Sequence, residues 1–238
     1  VLGGAIGTGN RLGTLKVNDG KSGTLNNTAN VKAIQIGNGS TLTVAATKNV
    51  TAATVEGVAL DQGTLSFAGA STAAIDKVGN GSKLNKVVIG AGEVNFSTTE
   101  VYKATTTHLA QGTSVVTFSK NAALELNTNF TTETNGTGQI KLSAHDRTFK
   151  GAVGTDAKRI GNIHLMSDKT ITFDQANAKV YVNTITTEVA NQGKLALTAD
   201  GIELYASVGD AKAFSKVLIG NAIGAVTVKL KDNINLTL

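Results

Sequence analysis

The residues of this sequence whose types and spacing could do chemistry are its paired glycines, its three histidines and its carboxylates. A Φ-Gly-x-Gly-x-x-Leu phrase runs from Ile6 to Leu12 (IGTGNRL), from Ile36 to Leu42 (IGNGSTL) and from Val78 to Leu84 (VGNGSKL), with a looser copy starting at Ile219-Gly220-Asn221. Glycine-rich loops can cradle phosphate. The dinucleotide fingerprint, however, needs a third glycine three residues on and a helix behind it, and here Leu12, Leu42 and Leu84 hold that position with no helical pattern following. Calcium-binding β-roll repeats share the glycines but need an aspartate to supply hard oxygen ligands. Asn10, Ser40 and Ser82 follow the corner glycines instead. The paired glycines are therefore read as turns.

His108, His145 and His164 are far apart in the chain. His145-Asp146-Arg147, with Ser143 beside it, is the only dense polar cluster. A catalytic triad needs a nucleophile and a base brought together and oriented by a third group. Adjacent strand positions point to opposite faces, so neighbourhood alone does not pair His145 with Asp146. The cluster is predicted to be a solvated loop. The 17 acidic residues include no Asp-Asp or Asp-x-Asp pair, the sort of clustering that acid–base cleavage of polysaccharides uses. No catalytic, cofactor-binding or metal-ligating residue is assigned, no cofactor is expected, and the chain is expected not to be an enzyme.

What positions these residues is a repeated unit of short strand and glycine corner. In Val78 to Phe96 two apolar runs, Val87-Val88-Ile89 and Val94-Asn95-Phe96, are each entered through a glycine-rich corner. Gly and Asn tolerate positive φ, and β-branched and aromatic residues suit a pleated, half-buried surface. Gly13 to Val17 alternates apolar and polar residues, the period of a strand with one buried face. Further strands are predicted at Val31 to Ile36, Leu42 to Val44, Gly63 to Phe67, Val115 to Phe118, Leu124 to Leu126, Gly138 to Leu142, Ile160 to Leu165, Thr170 to Phe173, Val180 to Ile185, Lys194 to Leu197, Ile202 to Leu204 and Ala225 to Leu230. Ala68-Gly69 reads as a stop. The alanines of Val50 to Leu60 would allow a helical turn, and Ala211 to Leu218 is the best helix candidate. Asn127 to Gly138 (127–138), rich in Thr and Asn, is expected to protrude as a loop.

Equivalent strands recur at multiples of about 20 to 30 residues, the mark of a repeat whose corners vary in length. The fold expected over 1–238 is a single all-β domain, an elongated right-handed parallel β-helix (solenoid). Its rival is a sandwich of antiparallel hairpins, which would alternate two kinds of edge. Ten or so coils stacked about 4.8 Å apart would make a rod on the order of 50 Å long.

Composition agrees. Hydrophobic residues make up 41% of the 238, enough for a core, while aromatics make up only 4%. That points to a narrow, regular interior built mainly of Val, Ile, Leu, Ala and Thr. Without Cys there are no disulfides. Cys and Pro are both absent, which suits a chain that crosses a membrane unfolded and folds on the far side. The net charge of +5 and pI near 9.3 come from scattered cations, with only Lys158-Arg159 adjacent. A basic patch interleaved with aromatics is missing, so nucleic acid is not an expected partner. No apolar run approaches the roughly 20 residues that span a bilayer. The chain opens inside a repeat and closes on a strand-like Asn233 to Leu238, so both ends are expected to be cuts within a longer protein.

Units such as GTLSF at Gly63, GEVNF at Gly92, KTITF at Lys169 and GKLAL at Gly193, joined by GNGSTL-type corners with Thr/Asn-rich faces, resemble the passenger regions of bacterial autotransporters. The IGNGSTLTV phrase is most similar to the rickettsial surface cell antigen family, of the outer membrane protein A and B type. The resemblance implies an extracellular passenger at the bacterial outer membrane, attached through a translocator barrel outside this chain. It implies adhesion to and invasion of host cells, through host-cell surface proteins or serum factors. Some autotransporter passengers are serine proteases with a Gly-Asp-Ser-Gly site, and this sequence contains no such tetrapeptide. Two alternatives stand beside adhesion. One is a structural spacer or surface-layer segment, and the other a carbohydrate-active β-helix enzyme whose groups meet only across coils.

Overall fold

A computed structural model of the chain describes residues 2–210, 212–220 and 226–231. Among them are nineteen strands and no helix. All nineteen strand pairings are parallel, and the chain winds as a β-solenoid of about nine turns. Parallel pairing throughout excludes the hairpin sandwich.

Each turn visits three faces, traced by the residues that pair from rung to rung. The first face stacks Leu42, Leu65, Val87, Thr107, Phe130, Val153, Val180, Leu204 and Leu230. The second stacks Ala29, Val50, Ala73, Phe96, Phe118, Leu142, Leu165 and Thr187. The third stacks Leu15, Ile34, Val55, Val78, Tyr102, Leu126, Phe149, Phe173, Leu197 and Ile219. Alternate residues of the strands between the two ends meet in one interior, so the core is a column that runs along the stack.

That column concentrates the few aromatics. All seven phenylalanines are buried, and six form an unbroken chain of ring contacts from Phe67 through Phe96, Phe118, Phe130 and Phe149 to Phe173. Phe96 and Phe118, paired on the second face, stack at 5.5 Å; Phe149 and Phe173, paired on the third, stack at 5.0 Å. Neighbouring rungs are about 4.8 Å apart, so in-register rings meet face on. The buried Tyr102 hydroxyl pairs with Thr107 Oγ1 at 2.9 Å, which pairs in turn with Thr128 Oγ1 at 3.0 Å.

Four expectations are corrected. Val50–Gly57 is a strand, because its alanines alternate inward and outward in register with the rungs beside them. Ala68-Gly69 does not stop its strand: Gln62–Val78 runs continuously, turning from the first face to the second at a register shift between Gly69 and Ser71. Phe214–Ile219 is a strand paired with Gln192–Leu197, the edge template outweighing the helical spacing, while Ala211 lies outside the described residues. The segment 127–138 does not protrude. Leu124–Thr132 is one strand that buries every second residue, and Glu133 to Gly136 is a tight corner. Its Thr-rich look is deceptive because Thr128 and Thr132 point inward and find hydroxyl or carbonyl partners there. The predicted terminal strand Asn233 to Leu238 lies outside the described residues, as do Asn221 and Ala225.

Gly20 and Gly79 both adopt φ +65° at corners, but their surroundings differ. A Cβ on Gly20 would meet nothing within 4 Å, whereas one on Gly79 would sit 2.1 Å from the Lys103 carbonyl oxygen of the next turn. Gly20→Ala should cost about 1 kcal/mol for the left-handed backbone alone. Gly79→Ala adds a backbone collision and should cost about 3 kcal/mol. Urea unfolding followed by circular dichroism measures both. Equal losses would refute close rung contact at Gly79.

Candidate functional site

The three histidines lie on different rungs and are not brought together. His108 Nδ1 pairs with Thr131 Oγ1 at 2.9 Å, and its Nε2 lies 3.4 Å from Glu133. His164 repeats the arrangement with Thr186 at 2.9 Å and Glu188 at 2.7 Å. A hydroxyl, an imidazole and a carboxylate in line has the outline of a triad. Here both sets lie on outward strand faces, and none of their members lines the groove described below. What they do is tie one rung to the next. Burial moves His108 below the usual histidine range, with Lys86 and Lys158 adding to it and Glu133 opposing. His145 Nδ1 accepts a hydrogen bond from the Asp146 N–H at 3.0 Å.

Arg147 corrects the expectation of a solvated loop around His145-Asp146-Arg147. It is fully buried, stacked between Leu124 and Ile171. Its guanidinium donates to five backbone carbonyls: Lys120 at 2.6 Å, Ala122 at 2.7 Å, Asp146 at 2.9 Å, and Phe118 and Ser143 at 3.1 Å each. Two successive corners, 118–122 and 143–146, are thereby held by one side chain. Burial lowers its pKa to about 10, against the pull of Asp146, so it stays charged at neutral pH. The signal for this was present in the sequence: Arg147 is two residues from the inward Phe149 and shares its side of the strand. Asp146 completes the cluster by accepting the Thr170 N–H at 2.8 Å.

A groove of about 590 Å³ lies where the third face turns into the first. Three local departures from the repeat create it. The strand pairing slips at a bulge between Asn127 and Asn129. In the next turn the first-face strand shrinks to a single bridging residue, Val153, and 154–159 loops outward. One turn on, the corner 174–178 is pushed out, with Asn177 at φ 56°. Asn127 and Asn129, Lys150 to Ala152, Thr155 and Asp156, and Gln175 to Lys179 line the walls, with Tyr181 at one end.

Within the groove, Asn129 is structural: its Oδ1 accepts the Ala152 N–H at 2.9 Å. The side-chain amides of Asn127, Gln175 and Asn177 are exposed and have no hydrogen-bond partner among the described residues. Tyr181 stacks on Tyr205 at 4.3 Å, and the Arg159 guanidinium lies 5.9 Å from the Tyr205 ring centre. Tyr205 donates to Glu203, and that carboxylate pushes the phenol up to about 12. Each groove lysine is matched by a carboxylate: Lys150 by Asp174 at 2.5 Å and Glu125 at 3.6 Å, Lys179 by Glu203 at 3.9 Å, and Lys83 by Asp61 at 4.0 Å. Of the segment 127–138 expected to bind as a protrusion, 127–129 forms part of the groove wall. The sequence does not mark the other wall residues, although the stretch without a predicted strand between Leu142 and Ile160 interrupts the repeat.

Fold and groove together define the class, a parallel β-solenoid with an open polar groove on one edge. Comparison with protein-family models, with curated proteins and with solved structures finds no match.

Two outcomes follow. Arg147→Met removes the donor from carbonyls whose burial denies them water and should destabilise the chain by about 3 kcal/mol in urea unfolding; a loss near zero would mean that the corners hold themselves. Hydrogen bonds from Lys150 and then Thr198 hold Asp174 below the usual carboxylate range. A carboxylate with a lowered folded-state pKa adds stability above its unfolded pKa and loses it as pH falls through the folded one. Asp174→Asn should therefore destabilise the chain at pH 7 and flatten its acid limb below about pH 4. An unchanged limb would mean that the pair is worth nothing in solution.

Proposed function

We propose that this chain is a non-enzymatic segment of a surface-displayed, autotransporter-type passenger that contacts host molecules, cell-surface proteins or serum factors, in adhesion and invasion. The observation that carries this is the groove where the polar rim departs from the repeat and sets unpaired amides together on a stiff scaffold. Recognition groups sit well on loops held by a rigid framework. The repeat style that resembles rickettsial passengers, with Cys and Pro absent, adds a surface location and attachment through a barrel outside the chain.

Binding fits the groove better than cleavage does. Glycoside hydrolysis uses two carboxyl groups flanking the scissile bond, whereas Asp156 is the one carboxylate in the wall. Asp174 and Glu203 at the margin are engaged by lysines and held below the usual carboxylate range, the wrong direction for a general acid.

The purified chain should bind cultured host cells saturably and compete with intact bacteria that display the parent protein. Failure in both assays would leave the spacer role, in which the segment only carries a more distal adhesive part.

A further inference from the structure

We infer that the groove takes one strand of a neutral polysaccharide. The inference rests on the binding-module reading and names the chemistry of its ligand.

The shape comes first. The groove crosses the corners of successive turns and is open to solvent, with Lys83 and Thr105 at one end and Tyr181 at the other. Such a trough suits a polymer strand better than a compact ligand. Rungs repeat at about 4.8 Å, close to the length of one pyranose, so successive sugars meet successive corners.

Hydrogen-bonding capacity is next. Asn127, Gln175 and Asn177 are amides without partners among the described residues. Each offers two donors and an acceptor, which matches sugar hydroxyls that both give and take. Tyr181, buried and stacked on Tyr205, closes one end of the groove and leaves recognition to the amides. A peptide strand would instead want an unpaired sheet edge or apolar pockets, and the apolar side chains in the wall besides Tyr181 are three alanines.

Charge decides between neutral and acidic glycans. Lys83, Lys150 and Lys179 are each paired with a carboxylate, and Asp156 faces the same space. The groove therefore holds no block of unopposed positive charge for sulfate or phosphate, and binding should depend on hydrogen bonds more than on counter-ion release.

The test is titration of the purified chain, by calorimetry and NMR, with soluble neutral oligosaccharides of glucose, galactose and N-acetylglucosamine, and with heparin. At least one neutral series should bind, with affinity unchanged as sodium chloride is raised. Asn127→Ala/Gln175→Ala removes two exposed amides that support nothing in the fold and should weaken that binding about tenfold, or about 1.4 kcal/mol, while leaving the unfolding transition in place. Binding to heparin alone, falling steeply with salt, overturns the inference, as does binding to no neutral glycan or binding that ignores the double variant. Host-cell binding is measured in parallel. A chain that binds cells but no neutral glycan loses the inference and keeps the adhesive reading; one that binds glycan through the groove but not cells does the reverse.

Discussion

The constraint on which everything else depends is in-register parallel stacking at about 4.8 Å. Each inward side chain lies above the equivalent residue of the previous turn, so the interior is built position by position. That is why Phe96 can face Phe118 and Phe149 can face Phe173 in nearly parallel planes. It is also why the same strand faces outward with Thr, Asn, Lys and Glu, which meet their counterparts one turn away. Lys120 reaches Glu100 and Lys229 reaches Glu203 in this way, and Lys141 spans two turns to reach Glu93. Some of the 22 basic and 17 acidic side chains are thus held in pairs between turns, each weak at an exposed surface but all favouring the same register.

Most polar groups inside the column are satisfied within it; the buried side-chain atoms without a partner among the described residues are Thr98 Oγ1, Ser167 Oγ and Arg147 Nε. The Tyr102–Thr107–Thr128 hydroxyl chain does so across adjacent strands, and burial with no charged partner pushes the phenol of Tyr102 well up. Arg147 is the stronger case. A buried guanidinium without a carboxylate would be costly, yet here two corners turn their carbonyls inward and supply acceptors in place of water. Corner and side chain depend on each other, because those carbonyls would otherwise be left without donors.

The fold was legible in the sequence because stacking repeats a local pattern. Period-two alternation identified Thr170–Phe173 to the residue, and the glycine corners marked where faces change. What the sequence hid was the meaning of polar residues. Thr128 and Thr132 looked like loop because hydropathy does not see that an inward threonine can bond to a neighbouring hydroxyl or carbonyl. Phe214–Ile219 looked helical because spacing is silent about a strand edge waiting to be paired. Arg147 looked solvated because its type outweighed its place two residues before Phe149. For the groove, Asn127 and Asn129 fell inside the segment expected to bind, but Gln175, Asn177 and Tyr181 come from the two following turns, and only the winding brings them alongside.

A solenoid core filled by stacked rings has no room for an internal cavity, so specificity can enter only where the chain lengthens between faces. The route from Phe130 to Val153 and on to Val180 is such a place: the middle rung keeps one bridging residue, and the spare chain forms the 154–159 loop. The cost is small, because Phe130, Val153 and Val180 stay buried and the column below is unbroken. Irregularity is thereby confined to the rim, where amides can remain unpaired without leaving a buried donor or acceptor. The regular part of the sequence therefore accounts for the stiffness of the rod, and its departures from regularity account for the groove shaped to hold something.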